Sequence, residues 1–307
     1  MIPTFPRGAT IASLQIAFAQ AGHSVSSQRT ASGEKSRATW HWRMPRILTQ
    51  EVFGNTLTEE ELLLHHTLAP VRLSLLAPAY QALARQNPCC YLSLREDFIQ
   101  RSMLRKLCPQ CVQDDITNFG CGHWRREHQI EGVAICTKHH TLLHDRCAEP
   151  DCGKSFFSPP PFLPGQPCPY CHGTATSSGK AAPISEGYAA YCKLYVDALH
   201  TPIPEISIGN RRKLWALPHA LYGGDIAAFN MDIGYWLGHH WADAFLAYDL
   251  AGKFLYDPIA AMSQHHLESG LILLTAFKRF LLGHHKEGVA ERWDCEHAGA
   301  PDSQGRL

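Results

Sequence analysis

Cys108-Pro109-Gln110-Cys111, Cys136-Thr137-Lys138-His139, the pair Cys147 and Cys152, and Cys168-Pro169-Tyr170-Cys171 place eight metal-ligating side chains, two by two, in one stretch of the chain. A C-x-x-C or C-x-x-H knuckle turns both side chains to the same side, so each knuckle supplies half of a tetrahedral site. Taken in order, Cys108 and Cys111 close with Cys136 and His139, and Cys147 and Cys152 close with Cys168 and Cys171. This spacing predicts two consecutive structural zinc sites, the first with three cysteines and a histidine, the second with four cysteines. His140 stands beside His139 as the alternative ligand; the C-x-x-H spacing favours His139. Two disulfides or buried free thiols are the competing interpretation of the same cysteines. The opening Met1-Ile2-Pro3-Thr4-Phe5-Pro6-Arg7 lacks the charged and apolar regions of a secretory signal, which favours metal in a reducing, cytoplasmic compartment.

Composition narrows the partners. The chain has 307 residues, 45% of them apolar, with 28 basic and 28 acidic side chains. Overall charge therefore does not argue for nucleic acid. The distribution is uneven: Arg7, Arg29, Lys35, Arg37, Arg43 and Arg46 face only Glu34 within residues 1–50, a net of +5. That end, with Arg37, Arg43 and Arg46 foremost, is the electrostatic candidate for phosphate contact; a solvated basic tail is the plainer alternative. The apolar stretch 267–282 contains Glu268, Lys278 and Arg279, so it reads as a packed helix and not a membrane span.

Helical signals flank the cysteines. Ile11, Leu14, Ala17 and Phe18 recur at helical spacing behind Thr10, a candidate cap, and Gly22 marks the end. Residues 22–39 are rich in Ser, Thr and Gly and read as a loop. Thr58-Glu59-Glu60-Glu61 before Leu62-Leu63-Leu64 starts another helix, and Pro70 is expected to close it. Residues 173–183 have the composition of a linker. Tyr188, Tyr191, Cys192 and Tyr195 then share a helical face, and 225–250 and 264–285 supply further helices, with Tyr235, Trp236, Trp241 and Phe245 read as core. The expected fold is mainly α with small zinc-ribbon modules: an N-terminal helical part over 1–105 with room for a helix-turn-helix, tandem zinc modules over 106–175, and a C-terminal helical domain over 184–307.

Several of these segments together resemble a known family. His66-Thr67-Leu68-Ala69-Pro70 after an acidic, leucine-rich helix is similar to the "HTL-x-P" segment of the TniQ/TnsD family of transposon target selectors. Leu107-Cys108-Pro109-Gln110-Cys111 resembles its first knuckle, Trp124-Arg125-Arg126 its "WRR" signature, and Cys136-Thr137-Lys138-His139 with Leu142-Leu143 and Cys147 its second half. The polar run 22–39, His123 where an aromatic residue is common, and the wide Cys147-x4-Cys152 spacing depart from the pattern. No family motif stands after residue 183. The resemblance implies a non-catalytic adaptor that binds a DNA site or docks on an RNA-guided CRISPR complex and recruits an AAA+ ATPase regulator of the transposase. A homodimer stays open.

Arg125 and Arg126 have two interpretations. They offset the negative charge of metal-bound thiolates, with Arg105, Lys106, Lys138 and Arg146, or they contact nucleic acid or a partner. Trp124 is expected as a core plug and not a base-stacking platform. Two other functions compete. An HNH-type nuclease would use His139 or His140, but no asparagine of the kind such a site usually employs stands between Asn118 and Asn210, and His139 is already claimed as a zinc ligand. A zinc-ribbon interaction module with no part in transposition is the third. The chain carries neither a phosphate-binding G-x-x-x-x-G-K-[ST] loop nor a dinucleotide fingerprint, so any ATP dependence belongs to a partner.

Overall fold

The structure, a computed structural model, describes residues 6–22, 57–76, 78–88, 105–130, 132–157, 161–173, 184–207, 210, 213–214, 216–238 and 264–284. The chain divides into two compact units, residues 1–183 with 196–202 and residues 184–195 with 203–307.

Helix α1 (Ile11–Gln20) organises the first unit. Thr10 caps it with extended backbone (φ −67°, ψ 155°), and its hydroxyl accepts from the Ser13 amide at 3.3 Å. The sequence pattern suggests one apolar face, yet the helix buries two. Ile11, Leu14 and Phe18 pack with Leu62, Leu63, Ala69, Leu73 and Ala84. Ile16 and Ala17 pack with Leu107, Val112, Trp124, Phe156 and Phe162. α1 therefore lies between the helical part and the cysteine-rich part and gives both a wall of their cores.

Three short helices complete the helical part: α2 (Glu59–His66), α3 (Ala69–Ser74) and α4 (Pro78–Gln86). Thr58 and Glu61 form a reciprocal capping box at the start of α2, with Glu59 and Glu60 also in the first turn beside the positive end of the helix. Pro70 does not close α2 as expected. α2 stops at the extended Thr67 (φ −130°, ψ 177°), and Pro70 lies in the first turn of α3, where its missing N–H is not needed. The Thr67 hydroxyl donates to Leu63 O at 2.6 Å and accepts from Ala69 N at 3.0 Å, so one side chain joins the two helix ends.

The cysteine-rich part contains α5 (Pro109–Phe119) and, among the described residues, the only two strands, β1 (Ile135–Cys136) and β2 (Thr141–Leu142). They pair antiparallel, Ile135 opposite Leu142 and Cys136 opposite Thr141. Gly120 ends α5 in the left-handed conformation (φ 78°), where glycine pays no side-chain penalty. The described fold is thus helical apart from a minimal hairpin and loops.

Among the described residues, the second unit contains helix α6 (Glu186–Asp197) as far as Tyr195, α7 (Leu217–Tyr222), α8 (Ile226–Leu237) and α9 (Gln264–His284), with a 3-10 turn at Pro204–Ile206. Tyr188, Tyr191, Cys192 and Tyr195 are all buried, as their spacing predicts. Trp236 lies against Phe277 (centroids 5.3 Å apart), and Phe277 against Phe229 (5.8 Å). Gly187 lets α6 touch α8: a Cβ there would stand 2.1 Å from Trp236 O. Tyr235 corrects the sequence expectation. It is 63% exposed, because neighbours on a helix point about 100° apart and Trp236 takes the inward position. Trp241 and Phe245 lie outside the described residues. Among those described, no helix is long and apolar enough to cross a membrane.

Candidate metal centres

Cys108, Cys111, Cys136 and His139 converge in one cluster, and Cys147, Cys152, Cys168 and Cys171 in another; within each, the ligand atoms lie within 4.8 Å of one another. Local structure explains the first. Cys108 occupies the cap position of α5, Pro109 the first turn, and Cys111 follows within that turn, so both sulfurs gather at the positive end of the helix. Cys136 ends β1, and the chain turns through His139 and His140 into β2. The His140 amide closes that turn onto Cys136 O at 2.8 Å, with His140 itself in the left-handed region (φ 53°).

The donor spacing tests whether an ion fits. A tetrahedral ion held by thiolates at about 2.3 Å spaces its sulfurs about 3.8 Å apart, and a sulfur and an imidazole nitrogen about 3.5 Å apart. Cys111 Sγ and Cys136 Sγ are 3.5 Å apart. His139 Nδ1 lies 3.5, 3.3 and 3.6 Å from the sulfurs of Cys108, Cys111 and Cys136. In the second cluster Cys147 Sγ to Cys171 Sγ is 3.8 Å and Cys152 Sγ to Cys168 Sγ 3.9 Å. A disulfide requires about 2.05 Å, so these pairs are not bridged. Each cluster can hold one tetrahedral metal ion. His139, and not His140, turns a ring nitrogen into the first.

Around the first cluster, His139 Nε2 faces Asp114 Oδ2 at 3.3 Å, and Lys138 Nζ reaches the same oxygen at 2.5 Å. A carboxylate on the far nitrogen fixes the ring and leaves Nδ1 for the metal. The second cluster is built from turns. Cys147 N donates to Lys154 O, Cys152 N to Glu149 O, Cys168 N to Gly173 O and His172 N to Cys168 O, all at 2.9–3.0 Å.

Trp124-Arg125-Arg126 lies between the half-sites and runs antiparallel to residues 8–10: Thr10 N donates to Trp124 O, and Arg126 N to Gly8 O, each at 2.8 Å. Trp124 is 1% exposed. Its indole N–H donates to Phe162 O at 3.0 Å, and its ring meets those of Phe156 and Phe162 edge-on at 5.9 and 5.2 Å. It plugs the core and offers no face to a base.

Arg126 is 2% exposed, and its guanidinium donates to the carbonyls of Leu64, Thr67 (3.1 Å) and Leu199 (3.3 Å). Its terminal nitrogens point at backbone, which leaves little surface for the expected nucleic-acid or partner contact, and burial lowers its pKa to about 10. Arg125 forks onto Asp115 at 2.5 and 3.2 Å and reaches Glu127 at 3.3 Å. Both arginines, with Lys138 on Asp114 and Arg146 on Asp145, find carboxylates or carbonyls as hydrogen-bonding partners, and Arg125 and Lys138 also attract the Cys111 thiolate, as expected of charges offsetting a metal-bound sulfur. Arg37, Arg43 and Arg46 lie outside the described residues.

Sequence reasoning missed the polar groups that hold the segment. Asp115 is fully buried beneath Arg125, with His123 Nδ1 3.1 Å from Oδ2, the oxygen that Arg125 Nε also reaches. Gln129 clips two strands of backbone by donating to Lys106 O and Arg125 O and accepting from Lys106 N. Ser13 accepts from the Trp124 amide at 2.7 Å. Three histidines are buried uncharged: burial lowers the pKa of His66 and His128 to about 4 and that of His123 to about 3. His66 Nδ1 lies 2.6 Å from Ala9 O, so the neutral ring carries its proton there.

Among protein families, the TniQ model matches residues 2–143. Over that span, a little under half of the chain, the sequence is similar to the TniQ family. The matched span contains α1, the segment His66–Pro70, the whole first cluster and Trp124-Arg125-Arg126; the second cluster begins four residues beyond it, at Cys147. The TniQ family is one of non-catalytic adaptors, in agreement with the expectation that the chain is not an enzyme. No curated protein and no solved structure matches the chain.

Proposed function

We propose that this protein is a target-site selection adaptor in DNA transposition, which binds target DNA or an RNA-guided CRISPR effector complex and recruits an AAA+ ATPase regulator of the transposase. The observation that carries the proposal is the TniQ match over residues 2–143, which encloses the HTL-x-P segment, the first cluster and the WRR segment in family order. Both clusters hold zinc, one ion each, through Cys108, Cys111, Cys136 and His139 and through Cys147, Cys152, Cys168 and Cys171. Zinc supplies no reactivity here; it cross-links loops that bury too little apolar surface to fold alone. Arg125 and Arg126 act inside the fold, so phosphate contact falls to the basic N-terminal segment with Arg37, Arg43 and Arg46. The protein works in the cytoplasm, as a monomer or a homodimer.

The test is an affinity pull-down of the tagged full chain from its own host, with and without nuclease. Recovery of an AAA+ ATPase that survives nuclease supports the adaptor, and co-purifying CRISPR subunits would identify the target. Absence of any ATPase from protein that retains both zinc ions would move the assignment to a zinc-ribbon module outside transposition.

A further inference from the structure

The two clusters differ most in how they present sulfur to solvent. In the first, Cys108, Cys111 and Cys136 are 0%, 1% and 1% exposed, and the outermost ligand is the imidazole of His139. In the second, Cys168 and Cys147 are buried, Cys152 is half-buried and Cys171 is exposed. Cys171 lies at the open end of its knuckle, between exposed Tyr170 and exposed His172. Charge points the same way. Four thiolates on a divalent ion carry a net charge of about −2, and three thiolates with an imidazole about −1, so the second donor set holds the more electron-rich sulfurs.

We propose that Cys171 is a modification site, the sulfur at which peroxide and soft electrophiles first attack this protein, opening the second cluster while the first stays closed. The proposal rests on the assignment of zinc to both clusters. With hydrogen peroxide, the Cys171 thiolate attacks one oxygen, the O–O bond breaks and hydroxide leaves, giving a sulfenic acid. The Cys147 thiolate, whose sulfur lies 3.8 Å away, then attacks the Cys171 sulfur and displaces a second hydroxide as the disulfide forms. The two thiolates lose two electrons, the peroxide gains two, and two protons from solvent convert both hydroxides to water. A donor set that loses two of its four thiolates would no longer hold a tetrahedral ion. Among the other described cysteines, Cys192 is buried and Cys121 is half-buried with its thiol pKa raised by burial, so neither competes well for the reagent.

The experiment uses the full chain with its metal. Zinc per chain is counted first on protein unfolded in a chromophoric chelator; a value below two removes the metal assignment, and this proposal with it. Folded protein is then treated with hydrogen peroxide, zinc release is followed with the same chelator, and the cysteines are mapped by peptide mass spectrometry. One equivalent of zinc should leave at least about tenfold faster than the other. At that point the chain should carry a Cys147–Cys171 disulfide, with Cys108, Cys111 and Cys136 still reduced. A limiting maleimide should label Cys171 ahead of every other cluster cysteine. In a Cys171→His variant, which copies the ligand set of the first cluster, the fast phase should vanish. Release of both ions at one rate, or first oxidation at Cys108, Cys111 or Cys136, would overturn the proposal.

Discussion

Cys136–His140 and Cys168–His172 make the same turn. In each, the amide of the fifth residue closes onto the carbonyl of the first, at 2.8 and 2.9 Å, and a histidine takes the left-handed conformation, at φ 53° and 61°. The first turn joins a knuckle at a helix start, is backed by Asp114 and lies within the span of the TniQ match. The second joins a knuckle made of loops, lies beyond that span and leaves one sulfur exposed. One local motif therefore serves two different structural tasks. The first cluster anchors α5 and the hairpin beside the WRR segment, whereas the second staples loops whose inner side rests on Trp124, Phe156 and Phe162.

Ligand removal should break this comparison most forcefully. Cys111→Ser is expected to lose one zinc per chain and to make the first unit protease-sensitive, because metal binding and folding are the same free energy in a module of this size. Cys171→Ser should also lose one zinc, yet leave the fragment from α1 to β2 resistant. Metal analysis with limited proteolysis reads both variants. Retention of two ions by Cys111→Ser with unchanged protease resistance would remove Cys111 from the ligand set. Equal collapse of both variants would show that the second cluster holds the core as firmly as the first.

Arg126 comes next. Arg126→Ala would strip donors from the buried carbonyls of Thr67 and Leu199 and the part-buried one of Leu64, at an expected cost of about 2–4 kcal/mol in chemical denaturation of the first unit. Nucleic-acid affinity per folded molecule should not change. A normal denaturation midpoint with weakened binding would return Arg126 to the surface role the sequence left open. The case also marks where sequence reading stops. Metal ligands are legible because a knuckle encodes its geometry within four residues. The partners of Arg126 are carbonyls, which every residue has, on segments far apart in the chain, so nothing in Trp124-Arg125-Arg126 announces them. Thr10 and Thr58 were legible as caps for the same local reason that made the knuckles legible. The second apolar face of α1 and the outward turn of Tyr235 depend on which elements pack where, and Asp115 looked like any acidic residue on a helix surface.

Acid should distinguish the units as well. His66, His123 and His128 are neutral in the folded first unit, with pKa values lowered by burial to about 4, 3 and 4. In the unfolded chain each returns to about 6.5. Below that pH the unfolded state binds protons the folded state refuses, so their contribution is complete above pH 6.5 and is lost as pH falls towards 4. The loss should approach roughly 1 kcal/mol per histidine per pH unit. His219 of the second unit is exposed and His66, His123 and His128 of the first are buried, so heat denaturation followed between pH 7.5 and 5 should show the first unit weakening first. Keeping excess zinc present separates this effect from loss of the metal. A first unit whose stability is flat across that range would contradict the buried neutral histidines.

The smallest effect concerns the shared turn itself. A non-glycine residue in the left-handed region carries a steric cost between Cβ and the backbone that glycine avoids, about 1 kcal/mol. His140 and His172 are both exposed, so replacing either ring should sacrifice little packing. His140→Gly and His172→Gly should therefore each raise stability, by at most about 1 kcal/mol after the extra freedom of glycine in the unfolded chain is counted. Neither should change zinc content, since His139 and Cys171 supply the ligands. Equal gains would establish that the two turns are one structure under the same strain. A loss of zinc from His140→Gly alone would show that the first cluster draws on both of its adjacent histidines, and that the likeness between the turns stops at the backbone.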